Sequence, residues 1–338
     1  MSLPAKGNSS RRRAVQAFAA VAIAAAVLAG LLRFTTQGGA RPRLDFTVFS
    51  RAVSRPDGAV WTGRGFLFVQ NTANVIWAVS PAGSSRGRFA AMPRAHEEAR
   101  CVLSPGTHGF PVGDIFCHSP DHRIWEFSAA GRRRLFAVLP SGSRRTADDG
   151  AIAFDVVGRY GFAMLAATGR SGAGHPPGGG ALYALDARGR VTRVGNYTGP
   201  GGADQLIVAP PDFGSARAEA LLTVDAGAAN GRLIAVAPDG NERTLTTFSD
   251  GPNPIVALTG LGSGRSPRIY LTDDETHNVD VTSAAPLRGS AGDVLVGSET
   301  RGFFWVVRPS GFGFEKMPVG TNFHHASTHS LEAMILAP

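Results

Sequence analysis

Cysteine is nearly missing from this chain, with only Cys101 and Cys117 in 338 residues. They form no Cys-x-x-Cys pair, so a cysteine-built zinc centre is excluded. Charge is also sparse, at 18% of residues. No segment carries the sustained 3.6- or 3.5-residue apolar period of helical bundles or coiled coils, which excludes both. Acidic residues are absent from the first 43 positions, where Lys6, Arg11, Arg12, Arg13, Arg33, Arg41 and Arg43 lie. Those seven side chains supply most of the formal net charge of +8, and the rest of the chain is close to neutral. A nucleic-acid binder carries its basic stripe on the folded body, so nucleic acid is excluded as a partner.

What the chain has instead is glycine and proline, 43 and 22 residues respectively, and a phrase that recurs with variation. Its copies are Ile76-Trp77-Ala78-Val79-Ser80-Pro81-Ala82-Gly83, Ile124-Trp125-Glu126-Phe127-Ser128-Ala129-Ala130-Gly131 and Leu182-Tyr183-Ala184-Leu185-Asp186-Ala187-Arg188-Gly189. Leu233–Gly240 and Phe304–Gly311 repeat it. Each reads as an apolar strand ending in a turn closed by glycine, the residue that tolerates positive φ. A unit of this size cannot bury its own faces, so recurrence at roughly 45–50 residues implies radial stacking of small sheets.

Most copies follow a second apolar run across a polar turn, so the repeating object is a hairpin. Six are legible, near 66–80, 115–128, 160–186, 220–237, 269–282 and 294–308. A third strand often follows the glycine, as in 190–194 and 242–248. Residues 44–320 shared over six units give roughly 46 residues each, within the range of β-propeller blades. The expectation is an all-β, six-bladed propeller over 44–338, with seven blades as the alternative. Leu44–Ser50 is the candidate strand that closes the last blade, and Leu331–Leu336 a further strand. The fifth and sixth hairpins lie too close together for regular phasing. The recurrent Trp61, Trp77, Trp125 and Trp305 are expected to pack between blades.

Ahead of the propeller, residues 1–13 form a basic segment, and Ala14–Leu32 is uncharged. As a helix this run spans roughly 28 Å, about a bilayer core. Arginines at its start place the N-terminus in the cytoplasm and the body outside, across a linker at 33–43. The reading is a single-pass transmembrane anchor at the cell membrane, with secretion after signal cleavage as the alternative. In an exported chain, Cys101 and Cys117 on neighbouring strands are expected to bridge; two buried free thiols are the alternative.

Oxygen-bearing side chains precede the innermost strand of successive units: Asp57, Glu97 or Glu98, Asp148-Asp149, Asp204 and Asn253. In a propeller those positions ring the channel mouth, where gathered carboxylates call for a cation. Hard oxygen ligands suit Ca²⁺, with Zn²⁺ or Mn²⁺ as alternatives. Each residue could equally form the turn that starts its strand.

These motifs resemble the SMP-30/gluconolactonase/luciferin-regenerating-like propellers. Asp57-Gly58-Ala59-Val60-Trp61 is similar to that family's Glu-Gly-Pro-Val-Trp. Asp148-Asp149-Gly150, followed by Asp155-Val156-Val157-Gly158-Arg159-Tyr160, is similar to its Asn-Asp-Gly…Asp-x-x-Gly-Arg. Gly180-Ala181-Leu182-Tyr183 and Pro252-Asn253-Pro254 extend the match over about residues 55–275. The resemblance implies a divalent metal on Asp57, Asp204 and Asn253, with Asp148 near substrate; Glu97, at the same mouth, is a further candidate substrate contact. It implies hydrolysis of a small lactone or ester. Asn253 stands where the family has an aspartate and cannot take a proton from water, leaving Asp204 or Asp149 as general base. The alternative function is a non-catalytic extracytoplasmic propeller binding a protein, glycan or small ligand.

Other groupings rank lower. Asp273-Asp274-Glu275-Thr276-His277 reads as a solvated hairpin tip. His324, His325 and His329 lack the helix or cysteines that would align them on a metal. Gly83-Ser84-Ser85-Arg86-Gly87 matches a nucleophile-elbow pattern but sits in a β turn, not between strand and helix, and is set aside.

Overall fold

The computed structural model describes residues 41–93, 98–140, 150–169, 179–225, 231–261, 267–311, 313–323 and 329–338. The expected anchor at 14–32 lies outside them, as do Glu97, Asp148, Asp149, His324 and His325. No helix among the described residues is long and apolar enough to cross a membrane.

From Pro42 onward the chain forms six antiparallel sheets arranged as propeller blades. Blade 1 is β3 (Pro56–Trp61), β4 (Phe66–Gln70), β5 (Val75–Val79) and β6 (Arg86–Ala91). Blade 2 is β7 (Arg100–Pro105), β8 (Val112–Ser119), β9 (Arg123–Phe127) and β10 (Arg133–Val138). Blade 3 is β11 (Gly150–Phe154), β12 (Met164–Thr168), β13 (Gly180–Leu185) and β14 (Val191–Tyr197). Blade 4 is β15 (Gly202–Val208), β16 (Ala220–Asp225), β17 (Gly231–Val236) and β18 (Glu242–Phe248). In these four, chain order is spatial order from the axis outward.

The last two blades interleave. Blade 5 runs β19 (Pro252–Ala257), β22 (Val294–Ser298), β23 (Phe304–Ser310) and β24 (Gly313–Thr321), with β1 (Arg43–Leu44) added parallel at its outer edge. Blade 6 runs β25 (Leu331–Ala337), β20 (Arg268–Asp273), β21 (Asn278–Ser283) and β2 (Thr47–Ser50). The chain lays the inner strand of blade 5, leaves to build the middle hairpin of blade 6, returns to finish blade 5, and closes blade 6 with its tail. This accounts for the crowding seen in the sequence: the fifth and sixth hairpins belong to different blades, in reversed order. Leu44–Ser50 does close the ring, split between both blades, and the tail is an innermost strand. Such an excursion costs little beyond ordinary loop closure, because that entropy grows only logarithmically with length.

Six apolar clusters fill the six seams between neighbouring blades. Phe116, Ile124, Met164 and Leu185 pack between blades 2 and 3, and Leu44, Leu271, Phe304 and Leu331 between blades 5 and 6. Trp61 and Trp77 pack at the seam of blades 6 and 1, Trp125 at that of 1 and 2, and Trp305 at that of 4 and 5, as expected.

The glycine ending the repeated phrase has two duties. At Gly131 φ is +75°, and a Cβ there would lie 2.4 Å from the carbonyl oxygen of Phe89 on the preceding blade. Gly83 repeats the arrangement against Phe49, at 2.5 Å; Gly189 and Gly240 do so against Phe136 and Val194. These four turns therefore supply both the reversal and the clearance that let the neighbouring outer strand press close; Gly311, in the fifth copy, has nothing within 4 Å of where a Cβ would lie.

Cys101 on β7 lies opposite Cys117 on β8, and the two form a disulfide. Closing a loop of this length stabilises by about 3 kcal/mol in the chain-entropy picture.

Candidate functional site

The innermost strands β3, β7, β11, β15, β19 and β25 neighbour one another in a closed ring around the axis. They begin at one face, so the side chains opening them meet at one end of the channel, as the sequence expected. The group found there is larger than the sequence showed: Asp57, Arg100, Asp204, Asn253 and Glu332, all buried.

Arg100 holds the centre. Its Nη1 donates to Asp57 Oδ1, its Nη2 to Glu332 Oε2 at 3.0 Å, and its Nε to the Asp204 carbonyl at 3.4 Å. Glu98 stands further off, 3.8 Å from Nη2. Asn253 Nδ2 donates to the same Glu332 oxygen at 2.9 Å, and Gln205 Nε2 to the Glu332 carbonyl at 2.8 Å. The Asp204 carboxylate points another way and accepts the Asp225 N–H at 3.2 Å. One guanidinium thus ties together strands from four blades. A planar fork suits this, since its donors leave in three fixed directions.

His118 lies directly opposite Arg100 in the β7–β8 register. Burial, and secondarily His122, push its imidazole down to about 3, so it stays neutral and adds no second positive charge. Asp57 Oδ2 and Asn253 Oδ1 have no hydrogen-bond partner among the described residues.

Asp57, Asp204 and Asn253 are therefore brought together, but around an arginine. The space facing Asp57 and Glu332 is taken by the guanidinium, and no group of three or more His, Cys, Asp or Glu among the described residues is arranged to hold a metal. Sequence reading missed Arg100 and Glu332. The available signal was a charged residue at the first or second position of an otherwise apolar strand, in Arg100–Leu103 and Leu331–Leu336, much as Asp57 is the second residue of β3.

Beyond Arg100 the channel is a cavity of about 470 Å³ lined by all six inner strands. Arg100 and Gln205 mark its polar end, and Trp61, Leu103, Ile207 and Leu336 line it further along.

Two other sequence expectations resolve into structure. The Asp155 carboxylate accepts five backbone N–H groups from Val157, Gly158, Arg159, Tyr160 and Phe162. The stretch that resembles the family motif is thus a caged turn. Its Tyr160 hydroxyl accepts the Ala220 N–H at 2.8 Å and donates to the Val236 carbonyl, joining blade 3 to blade 4. At the hairpin read as a solvated tip, Asp273 and Asp274 are buried instead. Asp274 takes a two-pronged bond from Arg55 at 3.0 and 2.7 Å. Asp273 pairs with His329 Nδ1 at 2.7 Å, a partner supplied by the distant tail.

No protein-family model and no curated protein sequence matches the chain. Among solved structures, a chain in the crystal structure of a nidogen/laminin complex is similar over 85% of this chain and 86% of that one, with TM-score 0.52 and 11% identity. Hydrazine synthase of Kuenenia stuttgartiensis is similar over 75% of this chain and 64% of that one, with TM-score 0.47 and 10% identity. At these identities the likeness concerns the fold alone: the chain is a six-bladed β-propeller.

Proposed function

We propose that this chain is a non-catalytic binding propeller, held outside the cytoplasm by its N-terminal segment and taking a small ligand at the channel. The observation that carries this reading is Arg100, which occupies the axis and engages the Asp57 carboxylate that a lactonase-like mechanism would need for its metal. Asn253 donates to Glu332 and the Asp204 carboxylate accepts a backbone N–H, so both are engaged within the protein. What remains is a cavity within the size range of small-molecule sites, with few polar groups at one end.

The tether rests on the sequence alone: Arg11-Arg12-Arg13 followed by the uncharged Ala14–Leu32. The disulfide agrees with an oxidising compartment. The full-length chain in detergent should show no lactone or aryl-ester turnover on titration with calcium or manganese. Metal-dependent turnover that Asp57→Ala abolishes would overturn the reading. Replacement of Ile207 by Trp, which narrows the cavity, should abolish capture of a small ligand at the channel while the fold persists.

A further inference from the structure

Where blade 6 meets blade 1, well away from the axis, a surface pocket of about 550 Å³ is lined by Arg51, Ser54, Ser84, Arg86, Thr276 and His277. Its polar side chains are donors or hydroxyls, and no carboxylate lines it. Arg51 and Arg86 are exposed and neither forms an ion pair among the described residues. Arg51 uses only Nε, donating to Asn278 Oδ1 at 3.1 Å. Arg86 lies over the Trp77 ring at 4.3 Å and donates to the Ala52 carbonyl. The neighbouring Arg55 shows the contrast, since both its prongs go to Asp274.

His277 completes the set. The Arg55 backbone N–H points at its Nδ1, at 3.3 Å, and a backbone amide can only donate. Nδ1 is therefore the acceptor, and in the neutral ring the proton sits on Nε2, the donor left for other partners. The carboxylate that senses Arg51 is Asp280, which is itself buried.

The position of Arg86 follows from the blade repeat, because Arg133 makes the same reach in the next blade, donating to the Ala91 carbonyl at 2.8 Å with its guanidinium 5.5 Å over the Trp125 ring. Arg51, Ser54, Thr276 and His277 are additions at this seam. Two guanidinium forks, an imidazole N–H and the Ser84 and Thr276 hydroxyls, with no carboxylate lining the pocket, complement an oxyanion with several acceptor oxygens. The Ser54 hydroxyl instead donates to His277 Nδ1 at 2.9 Å. The volume exceeds that of one such ion and leaves room for a sugar-sized body.

We infer that this seam binds a phosphate or sulfate monoester carried on a small polar molecule, a site separate from the channel. Calorimetry on the full-length chain, at constant ionic strength held with chloride, would use inorganic phosphate, inorganic sulfate, a hexose monophosphate, a hexose monosulfate and the parent hexose. Saturable one-site binding is expected for the monoesters and none for the hexose, and the tighter ester identifies the natural group. Arg51→Gln should weaken binding by about tenfold or more, as for loss of a charge-assisted hydrogen bond. Arg190→Gln, on the rim of blade 3 and paired there with Asp186, should leave it unchanged. Non-saturable uptake, equal affinity in Arg51→Gln, or equal loss in Arg190→Gln would each overturn the inference. If Arg51→Gln fails to melt cooperatively, His277→Ala carries the same comparison.

Discussion

Arg100 is the residue on which most turns. It lies 3% exposed between Asp57 at 0% and Glu332 at 2%, so its charge is held by partners and not by solvent. Replacing it by Met strands two buried carboxylates, and loss of one partner from such a set costs about 3–5 kcal/mol. Urea unfolding of Arg100→Met should show that loss. The triple variant Asp57→Asn, Arg100→Met, Glu332→Gln should recover most of it, because what destabilises is the unpaired charge. A second residue-scale prediction concerns Asp280. Burial first, then the nearby Asp273, push its carboxyl up to about 6 from an ordinary 3.8. The folded chain holds that proton to higher pH than the unfolded chain, so this group's contribution to stability declines as pH rises from about 4 through 6. Asp280→Asn should remove the decline. Melting temperatures of the two proteins should converge near pH 4, and the variant should melt higher at pH 7.

Glycine and the seams decide matters at the scale of the element. Gly131 and Gly63 both have positive φ, +75° and +83°. A Cβ on Gly131 would strike the Phe89 carbonyl at 2.4 Å, whereas nothing lies within 4 Å of one on Gly63. Gly63→Ala should cost only the backbone term, about 1–2 kcal/mol. Gly131→Ala should cost a further ~1–3 kcal/mol of overpacking and loosen the seam between blades 1 and 2. Chemical denaturation of the two variants side by side checks the difference. The hairpins themselves were legible because apolar runs, polar turns and a closing glycine are local signals. Asp273 and Asp274 were misread for the opposite reason: their partners, His329 and Arg55, are remote in the chain, and a polar turn with distant partners looks like one in water.

Over the whole molecule, the ring is locked by blades 5 and 6, which share strands from both ends of the described chain. Deleting 331–338 would remove an inner strand, the Glu332 end of the Arg100 network and one wall of the channel together. Cooperative unfolding should disappear, not merely weaken, when followed by circular dichroism in urea. A strand on an outer edge would not have that effect.

Sequence alone determined the class of fold, the six hairpins, five of the six inner strands, the disulfide partners and the convergence of Asp57, Asp204 and Asn253, because each follows from periodicity, turn chemistry or the position of a residue on its strand. Tertiary structure decided the strand exchange between the last two blades and the occupant of the axis. Both depend on contacts between distant segments: Glu332 reaches Arg100 across 232 positions, and no local pattern in either strand specifies that meeting. The same distance separates a ring of oxygen ligands awaiting a cation from one that already encloses its own.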